Sequence, residues 1–412
     1  MTKPVKDVEL NRLITKDRAL ERLFDNWIAD RSSETITVAQ AYGRVLAKPA
    51  ISMYNIPIVR ASAMDGVAIK YGSVKNGLQD TGAWVLGRDY VRADTGDDFS
   101  DEFDTVIKIE DVEILPNGGL RFAPDIKFEK GSCIKGCGSK IRQGELLAAA
   151  GVKLGALDIC ALISGGVTEV TVMKKPKIAF VPTGSELQEP GALLTRGQCH
   201  DSNSTMLRLL IEEMGGEAIL HPIVRDDKEK LEAALEKLLK EADVVILGAG
   251  TSKGEEDYCH EILQRRGEHL FHGVAAVPGR PMSMAIVDNK PVINISGPSL
   301  AAFYSFDWAL KPIICAFLGI EQPQREELEV VLTHPIKGGA LFSALVRLHV
   351  FIADDGKYYA TPMSAHGDTP AASMEMLTSN ALYVTQRGDE AIPARQTIKV
   401  ELLRTRETIK IE

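Results

Sequence analysis

Three carboxylates, a glycine-rich turn and one arginine stand beside apolar runs in the middle of the chain. The turn is Gly248-Ala249-Gly250-Thr251-Ser252-Lys253-Gly254, between the run Val244-Val245-Ile246-Leu247 and the acids Glu255, Glu256 and Asp257. The unbroken apolar run, after Asp243, reads as a strand buried on both faces. A strand, a glycine turn and a helix N-terminus put bare backbone N–H groups at a sheet's carboxyl edge, where open α/β proteins bind ligands. Those N–H groups suit an anion, and acids beside an anion suit a bridging cation. The same residues also read as an ordinary strand-to-helix turn with acids favoured by the helix dipole, and the local sequence leaves both readings open. The turn has neither the Walker A nor the dinucleotide glycine spacing.

Other polar groups follow or precede neighbouring runs. Thr183-Gly184-Ser185-Glu186 follows Ile178–Val181, Arg225-Asp226-Asp227 follows Ala218–Val224, and Pro278-Gly279-Arg280-Pro281 precedes Met284–Val287. Parallel strands place their carboxyl ends on one rim, so Glu186, Asp226 and Asp257 are expected to face one crevice. Three carboxylates there suit Mg2+ or another divalent cation shared with a phosphate. Asp226 is assigned to the site and Asp227 to capping the next helix. Arg280 is the candidate for gripping an anionic oxygen; its alternative is a surface guanidinium. Thr251 and Ser252 lack a general base nearby in sequence, and His260 belongs to a helix body. Asp201-Ser202-Asn203 supplies helix N-cap candidates. Asp65, in the small-residue loop Ala61–Gly66, reads by itself as a turn residue.

The elements that position these groups are legible from periodicity. At 412 residues the chain has room for two to four domains. From 176 to 318 strands and helices alternate, which implies a mostly parallel three-layer α/β sandwich. Within it Met206, Leu209, Leu210 and Met214 line one helix, and Leu231, Leu235, Leu238 and Leu239 another. An earlier helix over 16–30 aligns Leu20, Leu23, Phe24, Trp27 and Ile28, a face for the core or for a dimer seam. Residues 51–138 form a β-rich module with runs at Val67–Ile69, Ala83–Leu86, Thr105–Ile109, Val112–Leu115 and Leu120–Phe122 and a hairpin turn at Asn117-Gly118-Gly119. Leu146–Val172 reads as strand and turn. The segment 328–412 reads as a small β domain. The expected domains are 1–50 with 139–175, 51–138, 176–320 and 328–412.

Composition excludes several classes. Lys plus Arg number 48 against 57 acids, a net charge of −9, and aromatics are 6%. Nucleic acid and anionic membranes are poor partners for such a chain. No run of eighteen apolar residues crosses a membrane, and the first fourteen residues lack the apolar core of a secretory signal, so a cytoplasmic protein is expected. Six scattered cysteines without a Cys-x-x-Cys pair read as free thiols.

Taken together, these segments resemble the MoeA/gephyrin family of molybdenum-insertion enzymes, in order and over nearly the whole chain. Ser62-Ala63-Met64-Asp65-Gly66 matches the family's SAMDG loop. Thr95-Gly96 with Asp104-Thr105-Val106 resembles TGA…GADTVV, Pro182–Leu187 resembles STGDEL, and Asp201-Ser202-Asn203 matches a DSN helix start. Gly250, Ser252, Gly254 and Asp257 resemble GGVSVGxxD, and Pro278-Gly279-Arg280-Pro281 resembles PGKP. The resemblance implies an elongated homodimer of four-domain subunits, with a cleft between the α/β domain of one and the β module of the other. It implies that molybdate and adenylylated molybdopterin react there, with a divalent cation, to release AMP. Glu186, Asp226 and Asp257 would handle the metal. Asp65, Thr95 and Arg280 would serve catalysis and hold oxyanions. Thr183, Gly184, Asp201, Asn203, Gly250, Ser252, Gly254, Pro278, Gly279 and Gly297 would line the cofactor site. An upstream adenylyltransferase and a receiving molybdoenzyme would be its protein partners. Rival readings on this scaffold are a non-catalytic molybdopterin or nucleotide carrier and a nucleotide-pyrophosphate hydrolase.

The chain departs from the family pattern at named places. Two family lysines become Gly273 and Val277. The acid of STGDEL becomes Ser185, GEDI becomes Gly138-Ser139-Lys140-Ile141, and LPGNP becomes Ile295-Ser296-Gly297-Pro298-Ser299. Lys253 adds a cation that the family motif lacks.

Overall fold

The computed structural model describes residues 13–77, 80–249, 258–363 and 378–412. The chain forms two compact units, one of residues 33–173 and one that joins the N-terminal segment to Ser32 with residues 174–412.

The smaller unit is built from short antiparallel pairs. Ser33–Thr37 pairs with Glu169–Met173, and Ala50–Ile51 with Leu146–Ala148, around Val38, Leu46, Leu154, Leu162 and Val172. The stretch expected as strand and turn holds a helix, Ala156–Ser164, whose Asp158 side chain accepts the Gly155 N–H at 2.8 Å. Periodicity missed it because apolar residues ring it, with Leu157 and Ile163 left exposed. In the β module, Gly66–Ile69 is the middle strand between Tyr90–Ala93 and Thr105–Lys108. The hairpin Val112–Ile114 to Leu120–Phe122 turns as expected, the Asn117 side chain accepting the Gly119 N–H at 3.1 Å. Ala83–Leu86 is not a strand. The Asp89 carboxylate accepts the Val85 N–H at 2.9 Å and curls the segment into a turn.

The larger unit centres on a six-stranded sheet: β1 (Lys177–Pro182), β2 (Glu217–Leu220), β3 (Val244–Ala249), β4 (Glu268–His272), β5 (Ser283–Val287) and β6 (Lys290–Ser296), in the order β2-β1-β3-β6-β5-β4. The pairs from β2 to β6 are parallel; β5 runs antiparallel to both β6 and β4. The mostly parallel sandwich is therefore as expected. Ala179, Val181, Val245, Leu247, Ala285, Val287 and Val292 form one core with Leu231, Leu235, Leu238 and Leu239 of helix Lys228–Glu241 and with Ile262 and Leu263 of helix Tyr258–Arg266. The Asp227 side chain accepts the Lys230 N–H at 3.0 Å, the cap assigned to it from sequence. Helices Asn203–Met214 and 299–318 pack against each other, the former also against β1 and β2. The former buries Leu207, Ile211 and Met214 and leaves Leu209 52% exposed. Its buried face is thus centred on 207/211/214 rather than on the expected 206/209/210/214 series; both stripes have helical spacing, and packing against β1 and β2 selects the first.

The first helix, Lys16–Asn26, buries Ala19 and Leu23, and Trp27 just beyond it stacks edge-on against Phe317 at 5.2 Å. Its face serves this core, while Phe24 and Ile28 remain exposed. Helix 299–318 is apolar and long enough for a membrane span, yet 78% of that window is buried in the fold. The C-terminal strands Glu327–Leu332, Ser343–Ile352, Tyr358–Pro362, Ala381–Thr385 and Thr397–Leu402 close into a barrel, since Ser343–Ile352 pairs with both Tyr358–Pro362 and Ala381–Thr385.

Candidate active site

The carboxyl rim of the sheet gathers the first group of candidates. Buried Thr183, just after β1, donates its hydroxyl to the Gly248 carbonyl at 2.5 Å and its N–H to the same oxygen at 2.9 Å. This ties the end of β1 to the start of the central glycine turn. Gly184 follows with φ +149°, and a Cβ there would lie 2.7 Å from both carboxylate oxygens of Glu186. The carboxylate of Glu186 therefore folds back over the bare Gly184 backbone. The next loop joins from the side: Asp226 accepts the Ser185 N–H at 3.1 Å, and the Ser185 hydroxyl accepts the Asp226 N–H at 3.4 Å. Glu186 and Asp226 are thus carried by two loops locked to each other, an arrangement that fixes carboxylates better than either loop alone.

Beneath this rim lies a polar row that motif reading did not single out. Val292 belongs to the apolar core on the face under helices Lys228–Glu241 and Tyr258–Arg266, so alternation puts Asn294 and Ser296 on that same face. Ala285 and Val287 place Ser283 there likewise. Ser283 pairs with Asn294 across β5 and β6. Ser283 and Asn294 are 0% and 1% exposed, and Ser283 Oγ, Asn294 Oδ1 and Ser296 Oγ have no partner among the described residues. Buried polar atoms are ordinarily hydrogen-bonded. The face thus turns from apolar to polar toward the carboxyl ends of the strands. Polar residues replacing apolar ones at alternate strand positions were the available signal.

The DSN segment fastens a second loop to this end. Asp201 is buried and accepts both the N–H of Ser204, at 3.1 Å, and its hydroxyl. Its carboxylate caps the helix that Asn203 begins. Asn203 donates to the Gly297 carbonyl at 2.7 Å, and the Ser202 and Ser299 hydroxyls meet at 3.1 Å. Asn203 Oδ1 stays buried without a partner among the described residues.

The loop between β4 and β5 carries Pro278, Gly279 and Arg280. Gly279 has φ +104°, and the space for a Cβ there lies 3.4 Å from Ser305 Oγ. Arg280 is held through its backbone, its carbonyl accepting the Val274 N–H at 2.9 Å, while the side chain is exposed.

In the smaller unit Asp65 and Thr95 are brought together. Asp65 Oδ1 accepts the Thr95 N–H at 2.6 Å. The Thr95 backbone and side chain hold this carboxyl below its ordinary value of 3.8. Gly66 beside it is required by close approach, since a Cβ would meet the Ile107 carbonyl oxygen at 1.9 Å. Ser62 donates to the Met64 carbonyl at 2.5 Å, which closes the loop.

Gly250, Ser252, Lys253, Gly254 and Asp257 lie outside the described residues. Among the described residues no group of three His, Cys, Asp or Glu side chains is arranged to hold a metal. None of the six cysteines is in a disulfide, in line with the thiol reading.

Comparison with known proteins bears on both units. Residues 14–166 match the family described as the MoeA N-terminal region (domain I and II), and residues 179–316 match a probable molybdopterin binding domain. The chain is 24% identical to a molybdopterin molybdenumtransferase of Haemophilus influenzae, over 94% of this chain and 98% of that one. It is 25% identical to one of Staphylococcus aureus, over 96% and 97%. A solved molybdopterin biosynthesis MoeA protein from Pyrococcus horikosii superposes with a TM-score of 0.76 at 24% identity, over 95% of this chain and all of that one.

Proposed function

We propose that the chain is a molybdopterin molybdenumtransferase of the MoeA family, which inserts molybdenum from molybdate into adenylylated molybdopterin and releases AMP. The observation that carries the reading is the end-to-end match to transferases of that name, joined to a sheet that carries carboxylates after β1 and β2 and, on β5 and β6, buried polar atoms partnerless among the described residues. Around a phosphoanhydride, positioning and neutralisation of charge are the main work of such a site.

The donor set at the rim suits a hard divalent cation such as Mg2+, because Glu186 and Asp226 offer oxygen only. These two residues, with Asp257, would hold it, and the cation when bound would offset charge on the pyrophosphate. Gly184 leaves room for the Glu186 carboxylate, and Thr183 ties the start of that loop to Gly248. Asp201 caps the helix that begins at Asn203, whose amide donates to the Gly297 carbonyl. Gly250, Ser252, Gly254, Pro278 and Gly279 would supply close backbone approach to the pterin phosphate, and Arg280 would grip an oxyanion. Asp65, kept ionised by Thr95, is assigned to the same reaction by the resemblance of its loop. The reading also takes in a cytoplasmic homodimer. Exposed apolar side chains of the smaller unit, among them Tyr42, Tyr54, Ile58 and Leu157, support the dimer, and light scattering at the mass of one chain would refute it.

The test is AMP release from adenylylated molybdopterin with and without molybdate, in the wild type and in Asp226→Ala. Molybdate-dependent release that falls at least tenfold in the variant is expected. Release without molybdate would make the protein a hydrolase. Binding without release would make it a carrier, the outcome favoured by the missing cations at Gly273 and Val277.

A further inference from the structure

An irregularity in strand β4 builds a group of three imidazoles. His269 pairs with Ala285, the register then shifts, and Phe271 and His272 pair with Met284 and Ser283. Residues three apart on a regular strand face opposite sides. The bulge turns both His269 and His272 to the face of Ala285 and Ser283, where helix Tyr258–Arg266 lies over a half-buried His269 and leaves His272 exposed. That helix lays His260 onto them. The His260 and His272 rings stack at 3.8 Å between centroids, and His260 meets His269 edge-on at 5.2 Å. His272 stands one pair from the buried row of Ser283 and Asn294, at the carboxyl end of the sheet.

Contact among three imidazoles limits how many protons they hold, because each charge opposes the next. Burial foremost, then His260 and His272, push the His269 imidazole below its ordinary 6.5. His269 Nε2 is buried without a partner among the described residues. Most charged groups on the elements packed around the cluster are paired elsewhere, although the Glu261 carboxyl, lowered first by its hydrogen bond from Lys228, is also lowered by His260. Glu261 pairs with Lys228, Arg265 with Glu232 and Arg266 with Glu236. Arg22 of the first helix donates to the Leu270 carbonyl at 2.9 Å. Glu268 begins the strand in an exposed position, and β5 opposite offers only Ser283 and Ala285.

We propose that His260, His269 and His272 form a proton-accepting cluster coupled to oxyanion binding at the carboxyl rim. A dianion bound there draws one proton from solvent onto the imidazoles, and the protonated cluster holds the anion. The identity of the anion as molybdate rests on the function proposed above; the coupling itself rests on the cluster.

The test uses the full-length protein and molybdate, a dianion across the neutral range. Calorimetry in buffers of different ionisation enthalpy should show uptake of about one proton per molybdate near pH 7.5, and affinity should fall up to about tenfold per pH unit above that range. His260→Gln and His272→Gln should bring the uptake close to zero while leaving the melting temperature unchanged. The imidazole proton resonances of the cluster should titrate at higher pH with saturating molybdate than without it. Affinity that is flat from pH 6 to 9, uptake that persists in both variants, or no molybdate binding would each overturn the coupling. Molybdate-dependent AMP release with flat affinity would sink the coupling and leave the transferase standing. Proton-linked binding without AMP release would do the reverse.

Discussion

Gly184→Ala separates the backbone from the carboxylate at the sheet rim. The native φ of +149° lies where residues with a Cβ are strained, at a cost of about 1–3 kcal/mol. The new methyl would also stand 2.7 Å from both Glu186 carboxylate oxygens. That contact is with the far end of a flexible side chain, so Glu186 swings away at small cost in stability. For a loss of about 2 kcal/mol the melting temperature of a unit this size should fall roughly 4–8 °C. The functional consequence is larger, because the displaced carboxylate is the proposed cation ligand. The Mg2+ concentration for half-maximal AMP release should rise by about tenfold or more, taking one charge-assisted contact at about 1.5–3 kcal/mol. Glu186→Gln is the control: it should reproduce the shift in Mg2+ response with little change in melting temperature. Scanning calorimetry and an AMP-release titration read both quantities. If Gly184→Ala shifted the Mg2+ response and Glu186→Gln did not, the carboxylate would not be the ligand. If Gly184→Ala melted like the wild type, the backbone argument would fail.

Three further perturbations probe the frame around the site. Arg325 donates to both oxygens of Asp307, at 2.5 and 3.1 Å, and to Glu401 at 2.9 Å, tying helix 299–318 to the C-terminal barrel. Arg325→Lys keeps the charge but loses the fork and should cost about 1–3 kcal/mol in urea unfolding. Asp227 is held below its ordinary 3.8 first by the Lys230 side chain and then by the Lys230 N–H. Its stabilising effect is present above about pH 4 and is lost as pH falls through the folded value. Asp227→Asn should therefore melt below the wild type at pH 7 and converge on it as the pH falls through the lowered carboxyl value. Gly66→Ala would push a methyl into the Ile107 carbonyl, and backbone on both sides leaves little room to yield. Hydrogen exchange at Gly66–Ile69 and Thr105–Lys108 should rise by about a hundredfold or more, for a cost of about 3 kcal/mol.

The α/β core was legible because its signals are periodic and redundant. Leu231, Leu235, Leu238 and Leu239 repeat at helical spacing, and all four are buried. The Asp227 cap and the Asn117 turn were legible because a side chain there serves its own neighbouring backbone. Failures came where tertiary contacts chose among equal local options. In helix Asn203–Met214 two overlapping apolar stripes exist, and the sheet accepts Leu207 and Ile211 while Leu209 stays exposed. Ala156–Ser164 is apolar around its whole surface, so no period marks its buried side. Pairing of Asp65 with Thr95 was out of reach of local reading, since 30 positions separate them.

The site itself divides the same way. Glu186 and Asp226 announce themselves as acids after strands, but what holds them does not. Their loops lock through Ser185, where the family motif has an acid. A second carboxylate there would crowd Asp226, whereas the serine hydroxyl accepts its N–H. Gly273 gives a similar lesson about a missing cation. Its φ is +82°, and a Cβ there would meet the Leu13 side chain at 2.6 Å. A lysine at that position would need both a strained backbone and a displaced Leu13. Val277, by contrast, is 41% exposed on a short strand. His272, the residue before Gly273, belongs to the imidazole cluster proposed above.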